Sequence, residues 1–168
     1  MRLRSAVDGD LPLFQRIERA AGEMYRAIGM EEIADDEPPT LEVLSEYRRV
    51  GHAWVAVDDG DLPVAYLIAE RMDDALHIEQ VTVHPDYTRR RIGRSLLDHA
   101  ATVAEEEALE ALTLTTFKDV PWNAPYYAAC GFAMVADGDL TPGLRAIRER
   151  EAAHGLERWP RVCMRRHL

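Results

Sequence analysis

The chain has 168 residues, of which 30% are charged and 47% hydrophobic, and its net charge is -10 at pH 7. This composition predicts one globular domain, residues 1–168, with a sizeable core. No apolar run reaches the roughly 20 residues that cross a bilayer, and the first residues lack the apolar core of a signal peptide. Two cysteines are too few for a disulfide framework, so we expect a cytoplasmic protein.

The N-terminal part shows first a strand pattern and then a helix pattern. Weak alternation at residues 2–6 predicts a strand, and apolar residues at helical spacing from 13 to 28 predict a helix that Asp10 caps. The acidic segment 29–39 is predicted to be a mobile loop. Thr40 then caps a short second helix.

Three further strands follow in the middle of the chain. Residues 52–57 and 64–69 have strand composition and are joined through Asp59-Gly60, which is a hairpin signal. Residues 76–83 form the next predicted strand.

The C-terminal part begins with a predicted helix at residues 92–109. Asn123 is predicted to cap a shorter helix, and the insertion 137–160 is predicted to be helical near its centre. The remaining strands are predicted at residues 112–117, 132–136 and 161–166. Alternating strands and helices, with short hairpins, indicate an α/β fold with a mixed sheet.

The segment 77–100 carries the clearest functional signal. It combines a strand, a turn, an arginine cluster, Gly93 and an amphipathic helix. Because a helix N-terminus exposes N–H groups and a partial positive charge, this arrangement favours a phosphate-bearing ligand. The cluster consists of Arg89, Arg90, Arg91 and Arg94. Such arginines can also be simply solvated or contact nucleic acid, but the overall acidity opposes a nucleic-acid track.

Three motifs in this chain resemble those of the GNAT N-acetyltransferase superfamily. VTVHP at residues 81–85 and TRRRIG at residues 88–93 resemble its coenzyme A-binding strand and loop, and YYAACGF at residues 126–132 resembles its aromatic-Tyr-x-x-x-Gly-Phe signature. The family loop is usually (Gln/Arg)-x-x-Gly-x-(Gly/Ala). In this chain Thr88 stands at the Gln/Arg position, and Arg91 stands at the position of the first glycine. The resemblance implies a mixed, mostly antiparallel central sheet flanked by helices. That sheet would be splayed between its fourth and fifth strands to hold coenzyme A.

The resemblance also implies an enzyme that transfers acetyl from acetyl-CoA directly to a primary amine. Glu79 is the first choice for the base and His77 the second; alternatively, either residue is only hydrogen-bonded or solvated. The backbone N–H of Val81 is expected to face the thioester carbonyl. Tyr127 is expected to donate a proton to the departing thiolate, because a phenol keeps its proton at neutral pH. The alternative for Tyr127 is helix-to-sheet packing.

Coenzyme binding is expected to involve the strand end, the arginine loop, the helix start and the later helix cap. The candidates are Val81, Val83, Arg89, Arg90, Arg91, Ile92, Gly93, Arg94, Ser95 and Asn123. No metal is expected, since no histidine pairs with a cysteine at metal-ligand spacing. The acceptor is a small-molecule or peptide amine, neither nucleic acid nor membrane is an expected partner, and a homodimer is left open. The alternatives are a non-catalytic coenzyme A sensor on the same fold and a nucleic-acid-binding module.

Overall fold

Seven strands form one sheet in the order β1-β2-β3-β4-β5-β7-β6, in a computed structural model that describes all 168 residues. The strands are β1 (Arg2–Ser5), β2 (Ala53–Val57), β3 (Pro63–Met72), β4 (Ala75–Val83), β5 (Ala111–Phe117), β6 (Ala133–Val135) and β7 (Arg161–His167). Antiparallel pairing joins β1 to β2, β2 to β3, β5 to β7 and β6 to β7, whereas β4 and β5 run parallel. The predicted mixed, mostly antiparallel sheet is confirmed.

Six α-helices flank the sheet, and none has the length and apolar character that crossing a membrane requires. The helices are α1 (Leu11–Gly22), α2 (Glu31–Ala34), α3 (Leu41–Arg49), α4 (Ile92–Glu106), α5 (Ala124–Ala129) and α6 (Pro142–Ala153). The predicted first helix is shorter than expected, because a 3₁₀ segment, Glu23–Ile28, follows α1. The acidic segment predicted as a loop contains α2, and next to it Asp35 pairs with Arg26 at 2.6 Å.

The three predicted helix caps have different outcomes. Thr40 caps α3, since its hydroxyl accepts the N–H of Val43 at 3.2 Å. Asp10 and Asn123 stand at the N-cap positions of α1 and α5, but neither side chain accepts a capping hydrogen bond. The carboxylate of Asp10 instead accepts the N–H of Val7 at 2.8 Å.

The chain divides into two compact units, of which the first comprises Met1–Glu70 and Gln80–His99. In this unit α1 turns Leu11, Phe14 and Ile17 inward, as helical spacing dictates. The rings of Phe14 and Tyr66 stack at 4.3 Å between centroids. Burying each such large side chain contributes about 1.5–3 kcal/mol. The core of the first unit is therefore formed by α1 and Leu44 of α3 against the sheet.

The second unit comprises Arg71–Glu79 and Ala100–Leu168. In it β5 pairs with β7 over its whole length, but its parallel pairing with β4 covers only Ala75, Leu76 and His77 opposite Ala111, Leu112 and Thr113. Parallel pairing over only the first part of β4 agrees with the splay expected between the fourth and fifth strands.

The predicted insertion 137–160 is anchored in the second unit and contains α6 as expected. Glu151 on α6 accepts hydrogen bonds from Thr115 at 2.7 Å and from Arg161 at 2.8 Å. At the other end of the helix, the N–H of Gly143 donates to Asp73 at 3.0 Å. A Cβ on Gly143 would lie 2.5 Å from the side chain of Met72, so any other residue there would require neighbouring side chains to shift.

Candidate active site

The two candidate bases on β4 have opposite environments. His77 is 2% exposed, and its Nδ1 lies 2.9 Å from the hydroxyl oxygen of Thr113. Burial lowers the pKa of His77 to about 4, so the ring is neutral at physiological pH. Glu79, two residues further along the strand, is exposed. Of the two groups, Glu79 is the one that a solvent-borne amine can reach.

The arginine loop has an unusual backbone. Arg89 and Arg91 have φ angles of 64° and 60°, which lie in the left-handed region. Arg90, between them, does not have a positive φ. Alternation of this kind turns successive N–H groups into one concavity that suits an anion. Arg91 stands where the resembling motif has its first glycine, and its positive φ explains why glycine suits that position.

The loop leads directly into α4. At the start of that helix Ile92 and Gly93 are buried, and the N–H and hydroxyl of Ser95 both donate to the carbonyl of Arg91 at 3.0 Å. The guanidinium of Arg90 lies 5.1 Å from the ring centroid of Tyr87.

Three arginines, two in the loop and one in the first turn of α4, are available to a ligand. Arg89, Arg91 and Arg94 are exposed and form no ion pair within the protein. Unpaired like charges gathered beside a helix N-terminus repel one another, and a bound anion relieves that repulsion. Val81 and Val83 lie half-buried on the strand that precedes the loop.

Tyr127 lies on α5, and neighbouring residues of its motif hold its backbone and its ring in place. Its N–H donates to the carbonyl of Asn123 at 2.9 Å, and its carbonyl accepts the N–H of Phe132 at 3.1 Å. Gly131 has a φ of 94° and reverses the chain after the helix, which brings the ring of Phe132 to 6.0 Å from that of Tyr127. The Tyr-x-x-x-Gly-Phe spacing therefore fixes the position of Tyr127, which is half-buried.

Neither cysteine is suited to act as a nucleophile. Cys130 and Cys163 are both buried, and burial raises the pKa of the Cys163 thiol to about 11. A raised pKa keeps a cysteine in its neutral thiol form, which is a much weaker nucleophile than the thiolate. No three His, Cys, Asp or Glu side chains come together in an arrangement that could hold a metal ion.

One polar network in the first unit is not predicted from the sequence. The hydroxyl of Tyr66 donates to Oε2 of Glu18 at 2.6 Å, and the hydroxyl of Thr82 donates to the same atom at 2.8 Å. Gln80 donates to the Thr82 hydroxyl at 2.7 Å. The one sequence feature that could have indicated this network is the position of Glu18, which follows the buried Ile17 at the edge of the apolar face of α1.

Comparison with known proteins decides the family. The model of the acetyltransferase (GNAT) family matches residues 15–132, which span the arginine loop and the Tyr-x-x-x-Gly-Phe motif. The chain belongs to the GNAT acetyltransferase family. The predicted family is thereby confirmed, and the family is one of acyltransferases. A curated relative in this family is peptidyl-lysine N-acetyltransferase YjaB of Salmonella typhimurium, 25% identical over 99 residues, which are 59% of this chain. The chain spans 62% of the length of that relative.

Solved GNAT structures share the fold. The PaiA N-acetyltransferase of Thermoplasma acidophilum, in complex with coenzyme A, superposes with a TM-score of 0.73 at 15% identity, over 99% of this chain and 98% of that one. A GNAT acetyltransferase of Staphylococcus aureus Mu50 gives a TM-score of 0.76 at 16% identity, with the same coverage of both chains. These similarities confirm the predicted GNAT-like α/β fold.

Proposed function

We propose that the protein is an N-acetyltransferase that moves the acetyl group of acetyl-CoA directly to the nitrogen of a primary amine. The observation that carries the proposal is the loop at the start of α4, which combines alternating φ signs with exposed arginines that form no ion pair. Such a loop suits a pyrophosphate group. The family of the chain and the coenzyme A bound to the PaiA relative support coenzyme A as its ligand.

The coenzyme would be held mainly through charge and backbone. In this proposal Arg89, Arg91 and Arg94 bind its phosphates, with the backbone N–H groups at the start of α4. Each hydrogen bond to a charged group contributes about 1.5–3 kcal/mol. Val81 and Val83 would pair through their backbone with the extended pantetheine arm, as an added strand pairs with a sheet edge. Asn123 remains a candidate contact at the start of α5.

The proposed chemistry has three parts, each assigned to one group of this chain. Glu79 accepts a proton from the acceptor ammonium, directly or through water, because it is exposed whereas His77 is sealed and weakly basic. The Val81 N–H donates to the thioester oxygen as negative charge develops there. Tyr127 donates its hydroxyl proton to the sulfur. One N–C bond forms and one C–S bond breaks, without a covalent acetyl-enzyme.

The acceptor is proposed to be a small-molecule or peptide amine. The YjaB relative is named for peptidyl-lysine, and another structural neighbour is an alanine N-acetyltransferase for ribosomal protein S18 of Escherichia coli, so acceptor types differ among relatives. The net charge of -10 favours a cationic acceptor through long-range steering.

The proposal is tested with purified protein, acetyl-CoA and a panel of amines, with detection of the released thiol. We expect thiol release that depends on one or more amines, and a melting temperature that rises with acetyl-CoA because the coenzyme binds only the folded state. A thermal shift without turnover on any amine would support the coenzyme A sensor instead. No thermal shift, together with strongly salt-dependent binding of DNA or RNA, would support the nucleic-acid-binding module.

A further inference from the structure

Glu18 is a carboxylate that the proposed mechanism leaves without a role. Both of its hydrogen bonds, from Tyr66 and Thr82, reach Oε2, and none reaches Oε1. Oε1 has no partner within the protein and keeps some access to solvent. The carboxylate is therefore oriented through one oxygen and leaves the other available to a ligand.

The groups that orient Glu18 are rigid. Tyr66 is fully buried, and its ring stacks on Phe14. Thr82 is also buried, and its hydroxyl receives a hydrogen bond from Gln80 while donating to Glu18. A carboxylate held in this way keeps one direction for its second oxygen, as a binding group requires.

Glu18 has no cation to balance its charge. It forms no ion pair within the protein. Burial raises the pKa of Glu18, the negative charge of Asp36 raises it further, and the hydrogen bonds from Tyr66 and Thr82 oppose both effects. Taking a carboxylate out of water without a cationic partner is costly, and a positive ligand at Oε1 would offset part of that cost.

The position of Glu18 relates it to the proposed reaction. Its partner Thr82 directly follows Val81, and neighbouring Cα atoms are about 3.8 Å apart. A cation at Glu18 therefore lies a short distance from the backbone group assigned to the thioester. We assign this cation to a second group of the acceptor and not to the reacting nitrogen, because the proton of the reacting nitrogen is already assigned to Glu79.

We propose that Glu18 binds a second positive group of the acceptor, so that the substrates are short diamines and related molecules with a cation several atoms from the reacting amine. This inference rests on the proposed acetyl transfer. The exposed Asp36 acts on this carboxylate electrostatically and adds negative potential to the same region.

Three acceptors with the same carbon chain test the inference. Putrescine carries an ammonium at the far end, butylamine a methyl group, and gamma-aminobutyrate a carboxylate. With saturating acetyl-CoA, we expect kcat/KM for putrescine to exceed that for butylamine by about 10- to 100-fold, which is the ratio that one charge-assisted contact supplies. Gamma-aminobutyrate should be the poorest. Equal values for putrescine and butylamine in the native protein would overturn the inference.

Three variants test whether Glu18 is the residue that causes the preference for putrescine over butylamine. Glu18→Gln keeps an oxygen that accepts from Tyr66 and Thr82, so the fold should persist, as a melting curve will check. It should bring the putrescine-to-butylamine ratio close to one, mainly through a higher KM for putrescine. Asp36→Asn should lower the ratio less. Glu42→Gln, an exposed change on α3, is the matched control and should keep the native ratio.

The outcomes separate this inference from the proposed function. If other amines are acetylated but the native protein shows no preference for putrescine, only this inference is wrong. If Glu18→Gln lowers kcat for both amines at unchanged KM, the carboxylate handles a proton and the binding role is wrong. If no amine is acetylated, the proposed function fails first and this inference falls with it.

Discussion

Tyr127 is fixed through its backbone and its ring. Its N–H and carbonyl are bonded to Asn123 and Phe132, and its ring makes edge contacts with those of Tyr126 and Phe132. Removing the hydroxyl alone leaves these contacts in place. A phenylalanine at this position therefore isolates the chemical role of the oxygen.

We expect Tyr127→Phe to lower kcat by roughly 10²–10⁴-fold, the usual contribution of general acid catalysis. Coenzyme affinity and melting temperature should change little. Steady-state and single-turnover kinetics with the best acceptor of the panel provide the measurement. Tyr126→Phe is the control and should be much milder. Near-normal turnover by Tyr127→Phe, with chemistry shown to be rate-limiting, would mean that the thiolate departs without this acid.

A sequence motif predicts the position of a single residue where its geometry is local. The Gly131-Phe132 ending places Tyr127 on α5 in this way, and its role as the acid stays a prediction. Strand alternation placed His77 and Glu79 on one face, yet their exposure differs, because Ala75–Ile78 are all buried and the exposure begins only at Glu79. Glu18 escaped notice because both its partners are distant in sequence and only the folded sheet brings them to α1.

At the scale of elements, strands were easier to predict than helix ends. All seven strands carry their own apolar or alternating pattern, so their existence follows from local composition. The four-residue α2 is too short to show periodicity, and the N–H groups of Ile33 and Ala34 bond the carbonyl of Met30 to form it. The left-handed residues of the arginine loop were equally hidden, because arginine is a poor signal for a positive φ.

The loop before α4 yields a prediction about backbone strain. A residue with a Cβ in the left-handed region is strained by about 1–2 kcal/mol relative to its ordinary conformation, and glycine is not. Arg91→Gly and Arg91→Ala remove the same side chain, but only the first relieves Arg91's φ of 60°. We expect Arg91→Gly to be more stable than Arg91→Ala by about 1 kcal/mol in urea unfolding.

Measurements of coenzyme binding separate the effect of the Arg91 backbone on stability from the proposed contact of its guanidinium with the phosphates. Both variants should show a smaller melting-temperature shift with coenzyme A than the native protein, because both lack the guanidinium. Arg94→Ala, at an exposed position within α4, should reduce the shift without a backbone effect. Equal stability of Arg91→Gly and Arg91→Ala would show that the loop backbone is not strained in solution. Unchanged shifts in all three variants would mean that these arginines do not hold the phosphates.

For the whole molecule, buried and paired ionisable groups set the response of the fold to acid. The carboxylates of Asp74 and Glu151 have lowered pKa values, Asp74 through its hydrogen bonds with Arg165 and Glu151 through Arg161 against the effect of burial. Their contribution to stability is present above their unfolded values and is lost only as the pH falls towards their folded ones. At higher pH a different group contributes.

His77 is that group. Its pKa is about 4 in the folded protein and 6.5 when solvated, so the unfolded chain binds the extra proton as the pH falls below 6.5. The folded state then loses stability relative to the unfolded state until the pH reaches about 4. From these two values, the loss between pH 7.5 and pH 5 is on the order of 2 kcal/mol. Glu18, with its raised pKa, acts in the opposite direction.

Replacing His77 isolates its share of this acid response. We expect His77→Gln, which can still hydrogen-bond to Thr113, to lose about 2 kcal/mol less stability than the native protein between pH 7.5 and pH 5. Urea unfolding at both pH values measures the difference. His167→Gln, at an exposed position near the end of β7, is the control and should keep the native slope. If His77→Gln keeps that slope as well, the imidazole is not held neutral by burial. His77 would then regain its place beside Glu79 as a candidate base, because an imidazole that titrates near neutral pH is well suited to accept the proton of the acceptor.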